Sequence, residues 1–478
     1  MLRKFIGGYR REWTTVLLVY FCYGASTITG IAEVFFQKET LKLSPVEVTT
    51  ISFWLLLPWS MKMVVGAAAD IRPIFGSRRI PWLLAGCALT FAGYVALATV
   101  VETKTAYLAA SLLTAIGFMV QDVIADALSV EVVETEEERN QIQTLGRAAL
   151  LVGAISVGYL SGVLAGVIGP RKVYALASLL PLLVVASLPF SRVRRSADTP
   201  TPALARPATP TGNDILGSGN ARLVVLIGLA YAAIGVGLEL LAVPYAQEIV
   251  LLVSLLLISI VLWRVGISRE VAVAAIVIFL FRATPDVGQG YSYWAIDKLG
   301  FDQQFLGVLA QVSSILSLVG LVAFRKYIVS MPVSFTLGWV MIIGTILYLP
   351  NIGLFYGVHE WLGLSARTFA FIDTTISAPL GQLTMVPMLI LTARAAPKGA
   401  EATMFAVMAS LMNLALSASQ LFTGYLNDAF QITQQDYSNL GLLMISVTVI
   451  GLLPLTALPL LRRVEGVDEP EAQKMQVT

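Results

Sequence analysis

Histidine and cysteine are nearly absent from this chain. One histidine, His359, and two cysteines, Cys22 and Cys87, occur in 478 residues. His359 falls in a predicted outer loop, and a histidine metal site needs several ligands, so a His-based triad and a His-based metal site are both excluded. Both cysteines fall within apolar runs, which leaves no disulfide framework. Charge is scarce as well. Asp, Glu, Lys and Arg make up 13% of the residues, where a soluble domain carries roughly 25%. A net charge of +2 gives no pull toward nucleic acid. There is no nucleophile–base pair, and GVGLEL (235–240) has no phosphate-loop spacing. These absences argue against an enzyme, and no cofactor or metal is expected.

Apolar residues fill the space. They make up 57% of the chain, and the mean hydropathy is +0.78. Runs of about twenty apolar residues recur, each long enough to cross a bilayer as a helix. The pattern predicts an all-α polytopic membrane protein with spans at 13–36, 46–69, 80–101, 105–133, 140–168 and 171–190. A second set follows at 221–243, 247–267, 270–296, 303–325, 332–350, 364–394, 400–428 and 437–462. MLRKFIGGYRREW reads as a basic lead-in to the first span rather than a cleavable signal. The Pro-, Ser- and Thr-rich segment after the sixth span cannot bury a core and reads as a linker. The predicted divisions are a six-helix bundle at 1–190, a linker at 191–220, a helix hairpin at 221–267, a second six-helix bundle at 268–463 and a tail at 464–478. With the N-terminus in the cytoplasm, 22 basic residues fall in inner loops or tails and 6 in outer loops. That bias sets the orientation and requires an even number of spans, so both termini are cytoplasmic.

Six plus six helices around a basic linker resembles the major facilitator superfamily, in which two halves rock about a central site. The second span ends in GAAADIRPIFGSRRIP (66–81). Gly66, Asp70, Arg72, Gly76, Arg78 and Arg79 supply the parts of the superfamily loop, with extra residues between Arg72 and Gly76. That longer loop, with PIFG before the arginine pair, resembles the folate–biopterin transporter family. PWSMKMVVGAAAD (58–70), QDVIADALSVE (121–131), FLFRATPDVGQGYSYW (279–294) and PKGAEATMFAVMASLMN (397–413) are similar to its second, fourth, seventh and eleventh helices. The resemblance implies a folate- or pterin-type substrate, proton symport and a bacterial inner or plastid-type membrane. A monomer is expected, with substrate, protons and the bilayer as partners. Another organic anion, or drug export, is the alternative on the same fold.

Ionisable groups inside spans are costly, roughly 2.5–3.5 kcal/mol each at a helix centre, and so mark function. Asp122 and Asp126 lie one turn apart on one helix face. Counting depth along the spans places Lys62 and Arg147 level with Asp126 and leaves Asp122 without a cation. Asp122 is therefore expected to carry the coupled proton, with Asp126 held in an ion-pair cluster. Gln121 and Arg147 join the expected substrate contacts. In the loop, Asp70 is expected to cap a helix start, and Glu131 to meet Arg78 or Arg79, forming a gate latch.

In the second half, Pro285, Gly288 and Gly290 predict a break in the span that carries Arg282 and Asp286. Arg282 can hold a carboxylate bidentately. Asp286 can neutralise it instead, and Asp373 is another possible partner. Tyr291 can stack on a flat heterocycle, and Gln382 and Asn413 are buried polar groups on the same expected path.

Overall fold

The computed structural model describes residues 10–71, 77–133, 135–191, 226–228, 230–239, 241–265, 268–380, 383, 387–388, 390–392 and 401–463. Among them there is no β-strand. The helices are α1 (Trp13–Ala25), α2 (Gly30–Phe35), α3 (Pro45–Ser60), α4 (Lys62–Ile71), α5 (Ile80–Thr99), α6 (Lys104–Glu131), α7 (Glu136–Ile168), α8 (Pro170–Ala177) and α9 (Leu179–Ser191). They continue with α10 (Leu226–Glu239), then α11 (Ala246–Val265), α12 (Arg269–Arg282), α13 (Gln289–Leu299), α14 (Gln303–Ser330) and α15 (Val333–Phe355). The last are α16 (Val358–Trp361), α17 (Ala366–Ser377), α18 (Glu401–Ala429) and α19 (Leu440–Ile450).

Among the described residues, ten stretches are long and apolar enough to cross a membrane, against fourteen expected. The expected span 270–296 is interrupted between α12 and α13, where Pro285 cannot donate to a helix ladder. The expected span 364–394 starts as α17 and passes into a 3-10 turn, Ala378–Leu380, around Pro379. The expected span 221–243 is represented by α10, which is too short to count among the ten. The expected linker lies outside the described residues beyond Ser191, and the tail 464–478 lies outside them entirely.

Helix starts follow local chemistry. Ser44 and Glu47 cap one another's backbone ahead of α3: Ser44 N donates to Glu47 Oε2 at 2.9 Å, and Glu47 N to Ser44 Oγ at 3.2 Å. Thr103, Thr135, Ser268 and Ser365 each accept a backbone N–H of the first turn of α6, α7, α12 and α17.

The chain forms two compact units. The first comprises residues 1–43, 54–246 and 302–311, and the second 44–53, 247–301 and 312–478. The first has a core of Trp13, Leu83, Ile124, Leu128 and Ile142. Its α5 and α6 approach until their backbones touch. A Cβ on Gly117 would lie 2.6 Å from Thr90 N and 2.7 Å from Gly86 O. Small residues allow this in lipid, where packing must replace the hydrophobic effect. The second unit's core is Val271, Ala274, Val277 and Ile278 of α12 with Met404 and Met408 of α18.

Candidate functional site

In the first unit, α6 carries the charges the sequence singles out, and their partners differ from the expected ones. Lys62 pairs with Asp122. Asp126 accepts a hydrogen bond from Tyr20 of α1. The direct ion pair is thus with Asp122 rather than Asp126, while the charges of Lys62 and Arg147 still act on Asp126. The reason lies in α3 and α4. Pro58 lies inside α3, the helix breaks at Met61, and α4 restarts at Lys62. Depth counted along an unbroken helix misplaces the ammonium. Lys62 also sits over the Trp59 ring, 5.0 Å from its centroid, which adds a cation–π contact. Arg147 is exposed.

The latch residues come together around Arg79. Its Nε and Nη2 donate to Glu131 Oε1 at 2.8 and 2.6 Å, and Nη1 lies 2.8 Å from Asp70 Oδ1. Asp70 is therefore an ion-pair partner here rather than the expected helix cap. Arg78 is exposed. Arg72 and Gly76 lie outside the described residues. A Cβ on Gly66 would make only ordinary contact, 3.8 Å from Val123, so packing does not require glycine there. Gln121 is buried and donates to Thr90 Oγ1 at 2.8 Å between α6 and α5. That interhelical bond occupies the side chain expected to meet substrate.

In the second unit, the break after Arg282 is present. Residues 283–288 are not helical, and Gly288 has φ +66°. A side chain is strained at that angle, and a Cβ would lie 3.0 Å from Thr423. Arg282 Nε donates to the Met412 carbonyl of α18 at 3.1 Å. Asp286 does not neutralise it. Its Oδ1 accepts the Gly288 N–H at 2.6 Å and closes the break locally. Asp373 does not pair with Arg282 either. Its Oδ2 accepts from Asn351 Nδ2 at 2.9 Å, and Asn351 Oδ1 accepts from Tyr291 at 2.9 Å. Three helices, α13, α15 and α17, thus share one polar chain. Tyr291 also faces Trp294, their ring centroids 5.5 Å apart. Asn413, half-buried, follows Met412 on α18. Gln382 lies outside the described residues.

Sequence reasoning missed Asn351 and Glu33. Asn351 follows Pro350 inside a span, which is a readable signal. Glu33 lies in the span Trp13–Thr40 and was legible as an intramembrane carboxylate.

Comparison with known proteins sets these residues in a family. The family model described as BT1 family matches residues 24–478. A folate–biopterin transporter of Synechocystis sp. is 28% identical, covering 94% of this chain and 81% of its own. Folate transporter 2 of Plasmodium falciparum is 22% identical, covering 95% and 89%. Among solved structures, a POT family transporter in complex with 5-aminolevulinic acid is similar with a TM-score of 0.67 at 14% identity, covering 95% of this chain and 97% of its own. A nucleoside transporter is similar at 0.61 and 12%, covering 94% and 98%. The fold is of the major facilitator type, and the protein is a multi-pass integral membrane transporter rather than an enzyme.

Proposed function

Because the chain belongs to the BT1 family, we propose that it moves folate- or pterin-type compounds across a membrane by proton-coupled alternating access. The observation that carries this reading is the match over residues 24–478 together with relatives named as folate–biopterin transporters along nearly the whole chain. The site chemistry agrees with it. Arg282, at a helix break, has a planar fork suited to the glutamate carboxylates of folate. The Tyr291–Asn351–Asp373 chain offers donors and acceptors for a pterin edge, with Asn413 nearby in sequence to the Arg282 contact. Asp126, held by a neutral phenol, serves as the proton carrier, while Asp122 is ion-paired to Lys62. Arg79, Asp70 and Glu131 form the latch on the cytoplasmic side. The basic residues in the loops support cytoplasmic termini. We further propose two six-helix bundles, at 1–190 and 268–463, with the linker 191–220 and the hairpin 221–267 between them in sequence. The protein works as a monomer.

The test is uptake of radiolabelled folate and of a simple pterin into proteoliposomes, with and without an imposed pH gradient. Concentrative uptake of either compound on the gradient supports the reading. Uptake of unrelated organic anions, with neither folate nor pterin moved, overturns the choice of cargo.

A further inference from the structure

The first span is irregular where it carries its one inward carboxylate. A 3-10 turn, Ser26–Thr29, precedes α2, and a π-helical turn, Phe36–Thr40, follows it. Such turns cost backbone regularity and collect at functional sites. Between them, Glu33 Oε1 accepts from Tyr107 at 2.8 Å and from Gln37 Nε2 at 3.2 Å. Gln37 Nε2 also donates to the Tyr107 oxygen at 2.9 Å.

No cation joins this cluster among the described residues. A neighbouring element, α8, brings Arg171, but its guanidinium donates to the carbonyls of Thr99 and Val101 and lies over the Phe36 ring. The remaining titratable groups facing Glu33 are phenols: Tyr107 of α6, Tyr94 of α5 and Tyr174 of α8. The acidic and basic residues of α7, which also packs on α2, are Glu136, Glu137, Glu138, Arg139 and Arg147, all in its first half. Lys38 and Glu39 follow on the same span, in the π-helical turn.

The donor count is also one short. Gln37 is buried, and its Oε1 has no hydrogen-bond partner. A buried acceptor without a donor is costly. A proton on Glu33 removes the uncompensated charge. Rotating the Gln37 amide end for end then presents its oxygen to that proton, where Nε2 now meets the carboxylate, and carries Nε2 to the position that Oε1 now occupies without a partner. The two arrangements differ by one proton and one side-chain rotation.

We infer that Glu33, Gln37 and Tyr107 form a proton-binding site in the first unit, near the end of the first span remote from the N-terminus. With the orientation proposed above, it is loaded from the outer side. Its role in coupling rests on the proton-coupled reading, but the site itself does not.

The full-length protein, reconstituted in lipid, is stepped through pH and followed by infrared difference spectroscopy. Wild type is expected to gain a protonated-carboxyl band on acidification. Glu33→Gln, which keeps size and polarity, is expected to lose that band. Tyr107→Phe deletes one donor to the charged form, so it is expected to keep the band and move its midpoint to higher pH. A thermal melt of each variant establishes that it is folded. An unchanged difference spectrum in Glu33→Gln, or an unchanged midpoint in Tyr107→Phe, overturns the site. If wild type shows the band but does not concentrate folate or pterin on a pH gradient, the transport reading falls and the site stands.

Discussion

Replacing Arg79 by lysine keeps the charge and removes the fork. Arg79 makes two contacts to Glu131 and one to Asp70 from three different nitrogens, and its side chain is only 11% exposed. A lysine ammonium reaches one carboxylate well and cannot span both. Hydrogen bonds to charged groups contribute about 1.5–3 kcal/mol each. Two are lost, but Asp70 is 43% exposed and Glu131 23%, so water recovers part of the loss. A net cost of about 1.5–3 kcal/mol follows, which lowers the melting midpoint by roughly 3–12 °C for a unit of this size. Arg78→Lys is the matched control: its side chain is exposed, and changes at such sites stay within about 0.5 kcal/mol. Thermal melts of the purified variants in detergent, read by intrinsic fluorescence, measure both. A drop for Arg79→Lys no larger than that for Arg78→Lys refutes the latch geometry. A double-mutant cycle with Glu131→Gln then isolates the Arg79–Glu131 contact.

Three further outcomes are expected. Lys62→Met strands Asp122 and lowers stability by about 2–3 kcal/mol, while Lys62→Met with Asp122→Asn recovers at least half of that loss in the same melt. Gly117→Ala places a methyl against the backbone of α5, which cannot rotate away as a side chain can. It costs about 2–3 kcal/mol and is checked by melting midpoint against Gly30→Ala, where a Cβ meets nothing within 4 Å. Arg282→Lys weakens folate uptake roughly tenfold more than uptake of a pterin lacking the glutamate tail, measured as the ratio of the two KM changes.

Much of the architecture was legible because lipid imposes a length and a composition on every span. The break after Arg282 was readable from Pro285 and two glycines, and it is present. The ends of helices were readable where Ser or Thr precedes a polar first turn. Side-chain partners were harder to read. Lys62 was placed by counting residues from a helix end, and its direct partner is Asp122 rather than Asp126. Asp373 was matched to Arg282 on charge, yet it meets Asn351, because helix rotation decides which face a carboxylate shows. Pattern gives depth along a span within a turn or so, and one turn separates Asp122 from Asp126.

The intramembrane carboxylates differ in what holds them, and that difference bears on which can exchange a proton. Asp122 is held by a cation. Protonating it deprives Lys62 of its direct partner, so the proton removes one charge of a pair and leaves the other. Asp126 is held by a phenol, Asp373 by an amide and Glu33 by both. Those donors are neutral, so protonation breaks no direct ion pair; at Glu33 no cation among the described residues acts on the carboxylate, whereas Asp126 still feels the charges of Lys62 and Arg147. A phenol or an amide can also reverse its role, accepting where it donated. The depth argument that favours Asp122 as the coupling group therefore gives way to a partner argument that favours Asp126 and Glu33. These two sit on different spans, α6 and the α2 segment, and neither shares a hydrogen-bonding partner with the other. Two carboxylates whose direct donors are neutral and separate can be loaded at different stages of one cycle, whereas a single Asp122–Lys62 pair can only be broken and remade.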